Sequence, residues 1–151
     1  MNLQSPPPPP LPRRARTSDV SSLVALENEI FKYDQLKATS FRRFISSQDL
    51  WVMENDGNVL AYILILKRKH SKKLRIYSLA VSAEARGQGY GKKLIEHALT
   101  QYQGYELIKL EVKVDNLGAI KLYETFGFEQ VGRIEGFYSD GTDAYVYQKL
   151  L

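Results

Sequence analysis

The stretch Ala85-Arg86-Gly87-Gln88-Gly89-Tyr90-Gly91-Lys92-Lys93-Leu94, "ARGQGYGKKL", alternates three glycines and then sets two lysines at the mouth of an apolar run. A glycine in regular structure costs about 0.5–1 kcal/mol, so such a density of glycines implies that something approaches the backbone closely. Upstream, "LRIYSLAVS" reads as a strand, with Ile76, Leu79, Ala80 and Val81 suggesting burial on both faces. Downstream, Leu94, Ile95, Ala98 and Leu99 give a helical stripe to about Tyr102. Strand, glycine turn and helix in that order aim free backbone N–H groups at an anion, aided by the helix dipole.

Outward from this block the patterning supplies the other elements. "RRART" reads as a short strand ended by Ser18-Asp19, a good helix start. Val20, Leu23, Val24, Leu26, Glu27 and Ile30 then keep helical spacing, and a second short helix is expected over Ser40 to Ile45. "LWVMEN" and "VLAYILILK" flank Asp56-Gly57, a hairpin signal. After the glycine block, "ELIKLEVKV" is a strand, Asp115/Asn116 cap a helix reaching Phe126, and Gly127 stops it. "FEQVGRIEGFY" and "AYVYQKLL" bracket Asp140-Gly141, read as a second hairpin. The order is β-α-α-β-β-β-α-β-α-β-β, an α/β domain whose strand–helix–strand unit requires a parallel pair within a mixed sheet.

The 151 residues suit one domain with its own core. With no cysteine there is no disulfide framework, thiolate metal site or cysteine nucleophile. His70 and His97 have no metal-ligand spacing, so no metal is expected. No run approaches the ~20 apolar residues of a membrane span and no signal-peptide core is present, which implies a cytoplasmic protein with no membrane partner. Residues 1–12, "MNLQSPPPPPLP", carry all six prolines and are expected to be a disordered tail, with the folded domain at 13–151. Five of the seven residues Lys67 to Lys73 are basic within a formal charge of +4. A solvated loop explains that cluster better than a nucleic-acid site, because no aromatic is interleaved for base stacking.

Three ligands compete for the glycine loop. A P-loop needs glycine where Arg86 stands and a hydroxyl where Lys93 stands. A dinucleotide fingerprint needs a different glycine spacing after the first strand of the domain. The third reading is R-x-x-G-x-G, carried by Arg86, Gly89 and Gly91 directly after "SLAVSAEA". Here the sequence resembles the GNAT superfamily of acetyl-CoA-dependent N-acetyltransferases, and "LEVKVDNLGAIKLYETFGFEQVG" resembles the next block of that family. The resemblance spans Arg13 to Leu151 and implies a mixed, mostly antiparallel sheet with a central parallel pair. It implies that Arg86, Gly87, Gln88, Gly89, Tyr90, Gly91 and Lys92 surround the coenzyme A pyrophosphate. The strand Leu79, Ala80 and Val81 would then offer main-chain groups to the acetyl and pantetheine, with the Val81 N–H as oxyanion donor.

Acetyl transfer to an amine needs a base for the ammonium proton and an acid for the leaving thiolate. Glu111 alternates out of the apolar set Ile108, Leu110, Val112 and Val114, so it points to a polar face, where a carboxylate laddered between Lys109 and Lys113 is the plain reading. The chain is similar to the enzymes that acetylate the N-terminal alanine of ribosomal proteins, which implies Glu111 as proton acceptor and Tyr123 as proton donor. Tyr123 also shares a stripe with Ala119, Ile120 and Phe126, as a core tyrosine would. Asn116 caps its helix, and the resemblance adds a cofactor bond. The family's acceptor site lies between the first two helices and the last hairpin, which makes Phe31, Tyr33 and Tyr138 acceptor-binding candidates. "GFYSDGTDAYVYQKL" resembles the Tyr-x-Asp-Gly-x-Asp-Ala hairpin of protein N-terminal acetyltransferases, whereas "EIFKYDQLKATSFRRF" departs from the Pro-Trp pair usual there. The expected activity is direct transfer from acetyl-CoA to a protein or peptide amine by a monomer or homodimer. The alternatives are a small-amine acetyltransferase and a non-catalytic acyl-CoA sensor.

Overall fold

The computed structural model describes residues 7–151, so the first half of the expected proline tail lies outside the described residues. Residues 7–12 run extended into β1 (Arg13–Arg14), with Pro9, Pro10 and Pro12 half-buried. The chain continues through α1 (Val20–Ile30), α2 (Ala38–Ser47), β2 (Leu50–Asn55), β3 (Asn58–Lys67) and β4 (Lys73–Val81). Then follow α3 (Tyr90–Gln101), β5 (Leu107–Lys113), α4 (Leu117–Thr125), β6 (Glu129–Ile134) and β7 (Ala144–Leu150). This is the order read from the sequence.

Three local expectations shift. Of "RRART" only Arg13 and Arg14 pair with β2, because Thr17–Asp19 tighten into a 3-10 turn around a buried carboxylate. Asp19 accepts a two-pronged bond from Arg13 at 2.8 and 2.9 Å and one from the Arg16 N–H at 2.7 Å, locking the turn to the sheet edge. The second helix is longer than Ser40 to Ile45 and ends where Gln48 turns left-handed at φ +65°. The Asp140-Gly141 turn is the tip of a loop over 135–143 rather than a tight hairpin. The Asp56-Gly57 turn is as read: φ is +52° and +80° there, the left-handed pair a two-residue hairpin favours.

One seven-stranded sheet carries the order β1-β2-β3-β4-β5-β7-β6. All neighbours are antiparallel except β4 and β5, whose parallel register runs from Lys73↔Leu107 only to Ile76↔Leu110. Immediately beyond, Tyr77 bulges: Ile76 pairs with Ile65, but Leu64 pairs with Ser78. A bulge adds a residue and bends its strand, and here it turns β4 away from β5. Helices α1 and α2 cover one face through Leu23, Leu26, Phe41, Tyr62 and Leu64. Helices α3 and α4 cover the other through Leu94, Ile95, Ile108, Leu110, Val112 and Tyr123. Among the described residues no helix is long and apolar enough to cross a membrane.

Phe41 is fully buried and meets the Tyr62 ring edge-on at 5.7 Å between centroids. Phe41→Ala should therefore lower unfolding stability by about 3–5 kcal/mol, read as a shifted denaturant midpoint, as expected for deleting a fully buried ring.

Candidate active site

The glycine block forms the link from β4 to α3. After β4, Ser82 starts a 3-10 turn over Ala83–Ala85, braced by Glu29, which accepts the Ala83 N–H at 2.8 Å. Gly87 and Gly89 then lie at φ +75° and +87°, where a side chain would be strained. Gly89 is the N-cap of α3 and has no side chain to bond the first helical N–H groups. The helix's own first bond, Lys93 N–H to the Gly89 carbonyl at 3.0 Å, leaves the N–H groups of residues 90–92 without intrahelical partners. Arg86, Lys92 and Lys93 are exposed around them. Unpaired amides, a helix N-terminus and three cations form a fitting cradle for a pyrophosphate.

Two residues of that cradle also have a packing role. Helix α3 begins at Tyr90, not after Gly91, and the Tyr90 ring is buried in the core beneath it. Gly91 lies inside the first turn, where a Cβ would come within 3.0 Å of Leu122. Its smallness thus serves the packing of α3 on α4. Asn116 caps α4 through a bond from the Ala119 N–H at 3.2 Å.

Glu111 lies on β5, opposite in pleat to Leu110 and Val112, and is largely buried with a side-chain exposure of 10%. The plain reading, a surface carboxylate laddered between lysines, does not hold. Its partner is Arg75 on β4, whose Nε donates to Glu111 Oε2 at 3.0 Å. Sequence reading missed Arg75; the available signal was a charged residue flanked by Leu74 and Ile76 in the central strand. The guanidinium also stacks over the Tyr77 ring at 5.4 Å.

Tyr123 is buried on α4 and packs on Phe128 with centroids 5.6 Å apart. Among the described residues its hydroxyl has no hydrogen-bond partner. Burial, and after it the neighbouring Tyr138, push that hydroxyl above its ordinary value, so it stays protonated at neutral pH. Tyr138 is pushed up to about 12, first by burial and then by the charge of Glu111. Tyr138 thus feels the charge of Glu111 and in turn acts on Tyr123.

The loop over 135–143 is braced by the acidic residues of its motif. Asp140 binds Lys113 Nζ at 2.9 Å and the Thr142 N–H at 3.0 Å; the latter bond, more than the former, holds its carboxyl down at about 2. Asp143 accepts from the Gly136 N–H at 2.9 Å and from Arg133 at 2.7 Å. Across the site lies the loop between α1 and α2, with Phe31 half-buried and Tyr33 exposed under Lys32 Nζ. Asp34 in that loop, at φ +58°, accepts the Ser139 N–H at 3.0 Å and joins the two loops. Behind it, Glu27 is buried; it accepts the Leu36 N–H at 2.8 Å and the Tyr62 hydroxyl at 2.6 Å. The basic residues 67–73 lie at the other end of β4, remote from the glycine loop.

A family model described as the acetyltransferase (GNAT) family matches residues 19–128. The N-alpha-acetyltransferase of Saccharolobus solfataricus is 37% identical, with 92% of each chain covered. Ard1 from Thermoplasma volcanium superposes with a TM-score of 0.84 at 23% identity, over 93% of this chain and 96% of its own. Arabidopsis thaliana Naa50, solved in complex with the bisubstrate analogue CoA-Ac-MVNAL, superposes with a TM-score of 0.79 at 25% identity, over 91% of this chain and 96% of its own.

Burial raises the Glu27 carboxyl above its ordinary 4.5 against the opposing bonds from Tyr62 and Leu36. As pH rises, the unfolded chain loses this proton first, so the stability Glu27 contributes is complete below 4.5 and is lost through the higher folded value. Thermal midpoints of wild type and Glu27→Gln, compared from about pH 4 to about pH 8, should show wild type losing ground to the variant as pH climbs. A constant difference would contradict this.

Proposed function

The chain belongs to the GNAT family of acetyltransferases, and on that premise we propose that it moves the acetyl group of acetyl-CoA to the N-terminal α-amine of a protein or peptide in a ternary complex. The observation that carries the reading is a largely buried Glu111 held by Arg75 just past the end of the β4–β5 pairing, in a chain whose β4–α3 link leaves the amides of residues 90–92 without intrahelical partners. Its bearing on an α-amine comes from the relatives: one is an N-alpha-acetyltransferase, and another was solved with a peptide joined to coenzyme A.

In this reading acetyl-CoA supplies an activated thioester. The amides of residues 90–92, with Arg86, Lys92 and Lys93, hold its pyrophosphate. The Val81 N–H donates to the thioester carbonyl oxygen, which takes on negative charge during transfer. Arg75 fixes one oxygen of Glu111, so Oε1 is the one turned to the acceptor amine or to a water between them. An α-amine titrates near 7.7–8.0, so removing its proton needs only a modest base. Tyr123, kept neutral by burial, gives its proton to the departing thiolate. Phe31, Tyr33 and Tyr138 wall the acceptor's approach. Asn116 stands at the start of α4, near enough in sequence to Glu111 to meet the cofactor from the β5 side.

The test is thiol release from acetyl-CoA with N-terminal peptides, lysine peptides and small amines, run beside calorimetric titration with coenzyme A. Turnover confined to free N-termini supports the reading; turnover confined to lysine side chains or small amines replaces its acceptor; absence of coenzyme A binding removes it. Glu111→Gln should lower kcat by about 10²–10⁴-fold while leaving the coenzyme A Kd unchanged, as expected for loss of a general base. Tyr123→Phe should lower kcat by about 10²-fold, as expected for loss of a general acid.

A further inference from the structure

Glu27 is a carboxylate with 2% exposure and, among the described residues, no cationic partner. Burying such a group is costly unless hydrogen bonds compensate, and an apolar side chain of similar volume would fill the space at lower cost. Its bonds lead in two directions. Oε2 takes the Leu36 N–H at 2.8 Å, which fixes the far end of the loop that carries Phe31 and Tyr33. Oε1 takes the Tyr62 hydroxyl at 2.6 Å, and that hydroxyl lies 2.8 Å from Ser78 Oγ. Ser78 follows the Tyr77 bulge and directly precedes Leu79, the first residue of the strand segment expected to carry the acetyl group. An unbroken chain of hydrogen bonds thus runs from the acceptor loop, through α1 and β3, to β4. Its other side is tied by Asp34 to Ser139, so residues 31–37 are held at two points without regular structure of their own.

From this geometry we infer that Glu27 is a positioning residue: it sets the acceptor-facing loop against the strand that presents the acetyl group, and so determines how the acceptor amine meets the thioester. The inference rests on the acetyltransfer reading above for what the loop faces. Glu27 touches neither reactant; it acts through Leu36 on one side and through Tyr62 and Ser78 on the other. Tyr62 keeps its ring position independently through the edge-on contact with Phe41, so its hydroxyl can be removed with the packing intact.

The experiment is steady-state kinetics of the full chain, with the peptide acceptor and acetyl-CoA varied in turn. Glu27→Leu should raise the acceptor KM about tenfold and Tyr62→Phe about threefold, with the acetyl-CoA KM within about twofold of wild type. Glu27→Gln keeps an acceptor for Leu36 and should stay within about twofold of wild type on both. An unchanged acceptor KM in both Glu27→Leu and Tyr62→Phe, or an equal rise for both substrates, overturns the inference. If Glu27→Leu does not fold, Tyr62→Phe decides the same question. If wild type turns over no acceptor, the function reading fails, and amide exchange at Leu36 still tests the positioning. Faster exchange in Tyr62→Phe and Glu27→Leu than in Glu27→Gln supports it, and equal exchange overturns it.

Discussion

Parallel pairing between β4 and β5 stops after Ile76 and Leu110, and the rest of the molecule is arranged around that parting. The bulge at Tyr77 makes it unavoidable, because an added residue on β4 cannot stay in step with a straight neighbour. Strands that separate in the middle of a sheet leave a cleft open to both faces. On one face of it lies the Glu111–Arg75 pair. The glycine turn and the N-terminus of α3 follow directly on the strand that parts from β5. The cleft therefore follows from a defect in strand register rather than from the helices that cover the sheet.

Elsewhere the fold uses buried carboxylates as joints. Asp19 ties β1 to the turn before α1, Asp49 takes the Tyr102 hydroxyl at 2.8 Å beneath the Trp51 indole, and Glu27 joins α1 to the loop after it. Each satisfies backbone or hydroxyl donors that an apolar side chain would leave orphaned. On the open side, Asp140 and Asp143 hold the loop 135–143 in the same manner but in contact with solvent. The acceptor loops are thus shaped by side-chain bonds where the backbone lacks a ladder.

Element order and the glycine turn between β4 and α3 were legible because their signals are local. The Gly87 and Gly89 turn is written in residues that tolerate left-handed backbone, whereas the alternation around Glu111 gave only its face of the strand and not its burial. The Asp56-Gly57 hairpin is of the same kind as that turn. What escaped was set by contacts across the chain. Arg75 meets Glu111 only through the β4–β5 register, and Asp34 meets Ser139 between loops 105 residues apart. Gly91 has a packing reason to be small that only the fold reveals, because Leu122 on a later helix lies 3.0 Å from where its Cβ would stand. Glu27 left a trace: it stands in the apolar stripe of α1, where a carboxylate must have partners. The sequence does not say that those partners are Leu36 and Tyr62, nor that Ser78 lies beyond them. The ends of α2 and the breadth of the last connection depended on the same distant bonding.

The half-buried prolines before β1 bear on how this enzyme can be handled. Pro9 lies against the phosphate turn, with its Cγ 3.8 Å from where a Cβ on Gly89 would stand. The opposite terminus leaves from the far end of the sheet, where Leu150 pairs with Leu107 and the Leu151 N–H bonds the Glu106 carbonyl. A purification tag, fluorophore or surface linker joined ahead of residue 7 would begin beside the cofactor mouth. One joined after Leu151 would emerge away from it, so the carboxyl terminus is the side from which the protein can be immobilised with its cleft facing solution.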